Sequence, residues 1–373
     1  MRSRRLVVWV WAVVVVSVVF SLPGFHGTVR GQEKPATLAE RILRVVDRPV
    51  GLAHLPRCGD GRLALALAEA REKMYVHGQD AELAHVAAAR EAADGAGLLN
   101  RRATFDQGDL NRLLPVARSC GLVVLTDLAT DELTPALAAE IRRVLHPWYG
   151  VAVLGDAAGK LDGKALQDWA GTIGSDLKAM PGAGTLVAVQ AGPLEGADNW
   201  SHTWHGPDNN PVSTDTAYGV PETIQWTGKP YEATRLDLPI VANGRLFMLW
   251  NGHIMDVTFG EAVLPGEEVK LKTHGWETVM QGPLEEQRGP LLVARATHSG
   301  VRLWHRRLSP GVWLQVTRSI VVAHGDRLLV GDGSTLLVLD QATGKELRRI
   351  PTDCGQTKRS AATEAYVAAL GGP

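Results

Sequence analysis

The sequence predicts two consecutive domains: an α/β domain with a mostly parallel sheet over residues 38–192, and an all-β domain over residues 196–373. First, strand-like and helix-like patterns alternate from Leu38 to Val189, which is typical of βαβ units. Second, helical patterns nearly vanish after Gly192, where short β-rich runs and seven tryptophans follow. Third, two similar segments of this second part begin 45 residues apart.

The elements of the first domain follow from apolar runs and from helical spacing. The helix expected at residues 135–145, for example, places Leu137, Ile141, Val144 and Leu145 on one face. Predicted strands lie at residues 50–55, 74–76, 103–105, 121–125, 151–154 and 185–189, and predicted helices at residues 39–46, 62–73, 82–93, 135–145 and 164–170.

The N-terminal segment has the pattern of an export signal. Residues 1–5 are cationic, and residues 6–22 are apolar except for Ser17 and Ser21. We expect a signal peptide or an anchor over residues 1–25 and a linker over residues 26–37. No small-x-small cleavage box is visible. The segment could therefore also stay uncleaved and anchor the protein in the inner membrane through residues 6–22. The alternative is a start codon assigned too far upstream of a cytoplasmic enzyme.

Charge and cysteine content exclude several classes of function. The net charge is -1 and the isoelectric point is about 6.9, so no broad electrostatic attraction to nucleic acid is expected. The three cysteines, Cys58, Cys120 and Cys354, are odd in number and widely spaced. They predict neither a disulfide framework nor a zinc site, and two of them lie in apparent core segments.

The stretch from His54 to Ala70 reads HLPRCGDGRLALALAEA. It joins a short apolar run to a helix through a tight Gly-Asp-Gly. A glycine-rich loop that opens a helix lets backbone N–H groups approach a nucleotide-type ligand closely. The stretch therefore predicts a cofactor-binding loop, with a plain strand-to-helix turn as the alternative.

Five segments of the first domain resemble class I S-adenosyl-L-methionine (SAM)-dependent methyltransferases in order and spacing. They are CGDGRLALALAEA, VHGQDAELAHVAAAREAADGAGL, ATFDQGDLNRLLP, SCGLVVLTDL and EIRRVLHPWYGVAVLG. The resemblance covers about residues 38–190. It implies a Rossmann-like fold and SAM as the cofactor.

The resemblance also assigns site residues. The implied cofactor-binding loop comprises Cys58, Gly59, Asp60 and Gly61, of which residues 59–61 would face the methionine end of SAM. Asp80, which matches the acid after the second strand, would hold the ribose. Asp109 would lie on the adenine side.

Each assignment has a structural alternative, and the loop departs from the family pattern. Asp80 could cap the following helix, Asp109 could belong to a turn, and Asp127 is as well explained by a solvated loop as by a catalytic base. Arg57 stands where the family has its first glycine, and Pro56 removes a backbone donor. No catalytic residue is assigned.

The second domain contains two pairs of similar segments. PIVANGRLFM resembles SIVVAHGDRLLV, and LLVARATHSGVRLW resembles LLVLDQATGKELRR, whose turn ends at Gly344. The 45-residue spacing fits one four-stranded propeller blade. The stretches GADNWSHTWHGPDNNPVSTDT and LLVLDQATGKELRRI resemble pyrroloquinoline quinone (PQQ)-like β-propeller repeats, as in exported planctomycete-type fusions with a methyltransferase-like domain.

The propeller is expected to be incomplete and without a redox cofactor. The second part supplies at most three to four blades, about the minimum for a closed ring, so we expect a truncated chain or a longer natural product. Neither PQQ nor haem is expected, because the calcium acids, the stacked tryptophan and a Cys-x-x-Cys-His motif cannot be placed. His202 and His205 could suggest a metal, but a packed strand explains them better, and no metal site is predicted.

Two hypotheses of function follow. In the first, an exported methyltransferase-like protein transfers a methyl group from SAM to an unknown acceptor, and its propeller binds a partner or substrate. In the second, the SAM fold is degenerate, and the protein is an envelope scaffold whose propeller binds another protein or a glycan. An open pocket lined by Asp80 and Asp109 would favour the enzyme, and Arg57 filling that pocket would favour the scaffold.

Overall fold

The computed structural model describes residues 33–208, 210–217, 226, 239–250, 291–309, 320–332 and 335–351. The predicted signal or anchor at residues 1–25 and Cys354 lie outside the described residues. Within the described ranges, no helix has the length and apolar character needed to cross a membrane.

A seven-stranded sheet forms the centre of the first part of the chain. Its strands are β1 (Leu52–Leu55), β2 (Tyr75–Asp80), β3 (Ala103–Gln107), β4 (Leu122–Leu125), β5 (Val151–Asp156), β6 (Ser175–Ala179) and β7 (Thr185–Gln190), in the order β3-β2-β1-β4-β5-β7-β6. Strands β1 to β5 are parallel, whereas β7 runs antiparallel to β5 and β6 runs antiparallel to β7. The predicted mostly parallel sheet is confirmed.

Helices cover both faces of this sheet. The helices are α1 (Pro35–Val46), α2 (Arg62–Ala70), α3 (Leu83–Gly95), α4 (Pro135–Val144) and α5 (Gly163–Ala170). Apolar side chains of α1, α2 and α3 share one buried cluster with the sheet, and those of α4 and α5 share another. The domain is therefore a three-layer Rossmann-like α/β fold.

Local sequence sets where α4 and α5 begin. The Thr134 hydroxyl accepts a hydrogen bond from the backbone N–H of Leu137, and Pro135 occupies the first turn of α4. The Asp162 carboxylate accepts from the N–H groups of Lys164 and Ala165 at the start of α5. These contacts satisfy backbone donors that have no partner within the helix.

The largest differences from the prediction concern two strands. Strand β2 runs to Asp80 rather than ending at Val76. His77 is half-buried and contacts His54 of β1, whereas Gln79 and Asp80 are buried and hydrogen-bonded to the loops after β3 and β1. Strand β6 was not predicted at all. It pairs only with β7 and is exposed over most of its length, so its sequence lacks an apolar alternation.

The second part contains two four-stranded antiparallel sheets in the described ranges. The first consists of β8 (Ile240–Ala242), β9 (Arg245–Trp250), β10 (Leu291–Ala296) and β11 (Arg302–Arg307), and the second of β12 (Val321–His324), β13 (Arg327–Asp332), β14 (Thr335–Asp340) and β15 (Glu346–Pro351). Neighbours in the sheet are neighbours in sequence, and residues of both sheets share one core.

The four similar segments of the sequence coincide with the four hairpins of these sheets. The hairpins β8–β9 and β12–β13 correspond to one pair, and β10–β11 and β14–β15 to the other. Gly344 has a φ of 69°, as its predicted turn position requires. Antiparallel β structure is thus confirmed, while a propeller, its incompleteness and the boundaries at residues 192 and 196 stay predictions.

The first β sheet packs against the amino edge of the α/β sheet, the edge where the parallel strands begin. The Trp148 indole lies on Gly244, whose Cβ, if present, would be 2.6 Å from the ring. The backbone N–H of His298 donates to Nε2 of His146 at 3.1 Å. Because residues 146–149 directly precede β5, this junction lies away from the carboxyl edge of the sheet.

Candidate functional site

The strand order reverses between β1 and β4, whose carboxyl ends are therefore the expected position of a ligand-binding crevice. Chain connections run in one direction from β1 through β2 to β3, and in the other from β4 to β5. In open α/β sheets, ligands bind outside the carboxyl ends of the strands at such a reversal. The predicted loop at residues 58–61 follows β1 at this position.

The two glycines of this loop have different roles. Gly59 and Gly61 both adopt the left-handed region, with φ of 53° and 77°. A Cβ on Gly61 would lie 2.8 Å from Cβ and 3.0 Å from Cα of Ala89 in α3, whereas a Cβ on Gly59 would meet nothing within 4 Å. Gly61 therefore permits close packing of α2 on α3, and Gly59 faces open space.

Cys58 and Asp60 flank Gly59 in opposite environments. Cys58 is buried, and burial together with the nearby Asp80 carboxylate raises the pKa of its thiol to about 12. Asp60 is exposed, and its carboxylate pairs with Nε of Arg62 at 3.0 Å. Cys58 thus stays a neutral thiol at physiological pH, and Asp60 presents its charge to solvent.

Asp80 ends β2 and binds the loop directly. Its Oδ2 accepts from the backbone N–H of Gly59 at 2.9 Å, and its Oδ1 accepts from the N–H of Glu82 at 3.0 Å and lies 3.1 Å from Nδ1 of His85. Burial opposes the charge, but these donors outweigh it and lower the pKa of Asp80. The contact with Glu82 also gives Asp80 part of the helix-start role that was the alternative interpretation.

Asp109 lies beyond β3 and does not touch Asp80. It is exposed, and its Oδ1 accepts from the backbone N–H of Asn111 at 2.8 Å, as expected of a turn residue. Its carbonyl accepts from the Gln79 side chain at 2.6 Å. The structure therefore brings Gly59 and Asp80 together directly. It links the Asp109 carbonyl to the end of β2 through Gln79, and the N–H of the preceding Gly108 donates to the Asp80 carbonyl at 3.0 Å.

Gln79 is a residue that the sequence analysis missed. Its side chain is fully buried, donates to the carbonyls of Asp109 and Arg112, and accepts from the N–H of Leu114 at 2.9 Å. It thereby fastens the segment after β3 to the sheet. A lone glutamine in a short strand carries no sequence signal for this role.

Arg57 connects the loop after β1 to the loop after β4. Its guanidinium forms an ion pair with Glu132, donates to the carbonyl of Asp127 at 3.1 Å, and lies 3.4 Å from the Asp127 carboxylate. Burial lowers the pKa of Arg57, but its contacts with Glu132 and Asp127 outweigh this and raise it. Arg57, Asp127 and Glu132 therefore form an ion triad that joins the loop after β1 to the loop after β4.

A comparison with protein families agrees with this geometry. Residues 57–148 match the family described as "Methyltransferase domain". The α/β part of the chain therefore has a methyltransferase-like Rossmann fold. The match begins at Arg57, so it includes the loop, Asp80, Asp109 and both acids of the ion triad.

Solved structures similar to the chain include a cyclase and proteins whose titles name a methyltransferase. The [4+2]-cyclase SpnF has a TM-score of 0.33 at 20% identity, over 39% of this chain and 60% of that one. A provisionally assigned SAM-dependent methyltransferase from Methanococcus maripaludis has a TM-score of 0.37 at 19% identity, over 43% and 86%. Geranyl diphosphate methyltransferase in complex with SAM has a TM-score of 0.28 at 16% identity, over 32% and 47%.

The chain thus spans less than two thirds of the cyclase and of the geranyl diphosphate enzyme. A search of curated proteins found no match.

Proposed function

We propose that the methyltransferase domain binds SAM and transfers its methyl group to an acceptor. The observation that carries the proposal is the match of residues 57–148, whose glycine-rich loop follows β1 at the reversal of strand order. SAM, when bound, supplies an electrophilic methyl group on a sulfonium centre. The acceptor stays unassigned.

The residues around the loop are compatible with this cofactor. Open space above Gly59 leaves room for a ligand against the backbone. Residues 59–61 would contact the methionine end, and Asp80, whose carboxylate is held in place by three donors, would accept from the ribose hydroxyls. Asp109, exposed beyond β3, would face the adenine.

One observation favours the second candidate function, a non-catalytic scaffold. The ion triad of Arg57, Asp127 and Glu132 joins the loops after β1 and β4, at the position where the methionine end of SAM would lie. In this candidate the α/β part is structural, and the β part binds a protein or a glycan in the cell envelope.

Calorimetric titration of SAM into the full chain separates the two candidates. We expect micromolar SAM binding by the wild-type protein or by Arg57→Ala, which removes the ion triad. In Asp80→Asn the affinity for SAM should fall at least about tenfold, which corresponds to roughly 1.4 kcal/mol. Asp94→Asn changes an exposed aspartate of α3 in the same way and should bind normally. No binding by either wild type or Arg57→Ala at millimolar SAM would overturn the enzyme and favour the scaffold.

We also propose that the protein is exported across the inner membrane. Residues 6–22 then either anchor it in that membrane or are removed with the signal peptide. The cationic start and the apolar residues 6–22 support this proposal. A fusion of the full chain to a reporter enzyme that is active only outside the cytoplasm should show activity. Deletion of residues 1–25 should abolish that activity, and equal activity of both fusions would contradict export.

A further inference from the structure

We propose that a pocket between the methyltransferase domain and the first β sheet binds a small organic cation of the quaternary ammonium class. The pocket has a volume of about 330 Å³, and its wall includes Trp148, Trp226, His298, Asp198, Asp215 and Asn199. This volume is at the lower end of the range for small-molecule sites.

Two tryptophans are held in fixed positions in the pocket wall. The Trp148 ring packs on Gly244, and its backbone N–H donates to the carbonyl of Gly192 at 3.0 Å. The Trp226 ring packs on Gly300, and its Nε1 donates to the carbonyl of Thr297 at 2.7 Å. Rigid indole faces attract cations through their quadrupole, and they do so without an ordering cost on binding.

The charge of the wall is negative. Asp198 and Asp215 are acids, and no lysine or arginine belongs to the wall as the described residues define it. Burial alone would raise the pKa of Asp198, but donors from Thr214, His205 and Ser213 lower it to about 2. Burial and the neighbouring His146 lower the pKa of His298 to about 3, which keeps its ring neutral. An anionic ligand would therefore be repelled.

The hydrogen bonds of the two acids select among cations. Oδ2 of Asp198 accepts from Ser213 Oγ and the Thr214 N–H and lies 2.7 Å from His205 Nε2, while its Oδ1 accepts from the Asn199 N–H. Asp215 accepts from the N–H groups of Asp198 and Ala217. Because the oxygens of both carboxylates already accept hydrogen bonds from the protein, the two acids act on a ligand mainly through their negative charge. This favours a cation that has no N–H donors over a primary amine or a sugar.

The pocket is distinct from the crevice that would hold SAM. Trp148 precedes β5 and lies at the amino edge of the sheet, whereas Gly59 and Asp80 lie at the carboxyl edge. The proposal therefore does not rest on the proposed methyl transfer, and either can fail alone.

The test compares choline with its neutral isostere 3,3-dimethyl-1-butanol, each titrated calorimetrically into the full chain. We expect choline to bind with a submillimolar Kd and the neutral alcohol to bind about tenfold or more weakly. Trp226→Leu should abolish choline binding, and Asp215→Asn, which keeps the size of the side chain, should weaken it. Trp204→Leu replaces an exposed tryptophan outside the pocket wall and should bind normally.

Three results would overturn the proposal. Equal affinity for choline and the alcohol would show an apolar site without charge selection. Absence of choline binding up to about 10 mM would remove the ligand class. Binding of cellobiose in place of choline would assign the pocket to a glycan. Thermal unfolding of each variant, measured beside the titrations, checks that Trp226→Leu and Asp215→Asn remain folded.

Discussion

Lowering the pH from 7 to 5 is expected to reduce the free energy of unfolding by about 6 kcal/mol, through three buried histidines. His54, His146 and His298 are at most 6% exposed. Burial is the main cause that lowers the pKa of each ring, to about 3 for His54, about 4 for His146 and about 3 for His298. The neighbouring His77 adds to the effect on His54.

The sign follows from where the protons bind. In the unfolded chain these histidines have a pKa of about 6.5, so they take up protons below that pH while the folded protein does not. The stability that depends on these rings being neutral is fully present above about pH 6.5. It is lost as the pH falls from there towards the pKa values of the folded protein, which are about 4 and 3. At pH 5 each histidine costs about 2 kcal/mol relative to neutral pH.

Urea denaturation at pH 7, 6 and 5 measures this loss. His146→Gln removes one titrating ring, so its stability should fall by about 2 kcal/mol less than that of the wild type over this range. Val187→Ala, a core change without a titrating group, should be less stable at each pH but keep the wild-type slope. Equal stability of the wild type at pH 7 and pH 5 would refute the prediction.

Gly61→Ala is expected to destabilise the protein by about 3 kcal/mol. The φ of 77° costs an L-residue about 1 kcal/mol. The added methyl group would also approach the Ala89 backbone to 3.0 Å, and such overpacking costs about 2 kcal/mol more. Helix α3 cannot yield without moving away from the sheet, because Ala89 and Val86 belong to its buried face.

Gly59→Ala is the matched control for this change. Its φ of 53° carries the same backbone penalty, but its methyl group would enter open space, so a loss of only about 1 kcal/mol is expected. The midpoints of urea denaturation at pH 7 give the comparison. If the two variants were equally stable, the contact with Ala89 would have no energetic weight.

The sequence predicted those elements whose residues are buried in a regular pattern. Strands β4, β5 and β7 are buried on both faces and therefore appear as continuous apolar runs, whereas α4 is buried on one face and shows a helical period. Strand β6 escaped detection because it lies at an exposed edge. The end of β2 escaped because Gln79 and Asp80 are buried through hydrogen bonds, which no hydrophobic pattern records.

The candidate site was predictable only in its local part. The loop at residues 58–61 and its contact with Asp80 follow from a strand, a turn and a helix in sequence. The ion pair of Arg57 with Glu132 joins residues 75 positions apart, and it depends on how β1 and β4 are placed side by side. The 45-residue repeat predicted the hairpins because their paired strands are adjacent in sequence. Closure of a propeller ring would instead depend on contacts between segments that are far apart in sequence.

The docking of the β part on the amino edge has a consequence for communication within the molecule. A ligand in the tryptophan-lined pocket and a ligand at the loop of Gly59 are separated by the length of β5, six residues or about 20 Å. Neither ligand can displace the other by contact, so any mutual influence is allosteric. Linkage then requires reciprocity: a change that SAM causes in the affinity for choline equals the change that choline causes in the affinity for SAM.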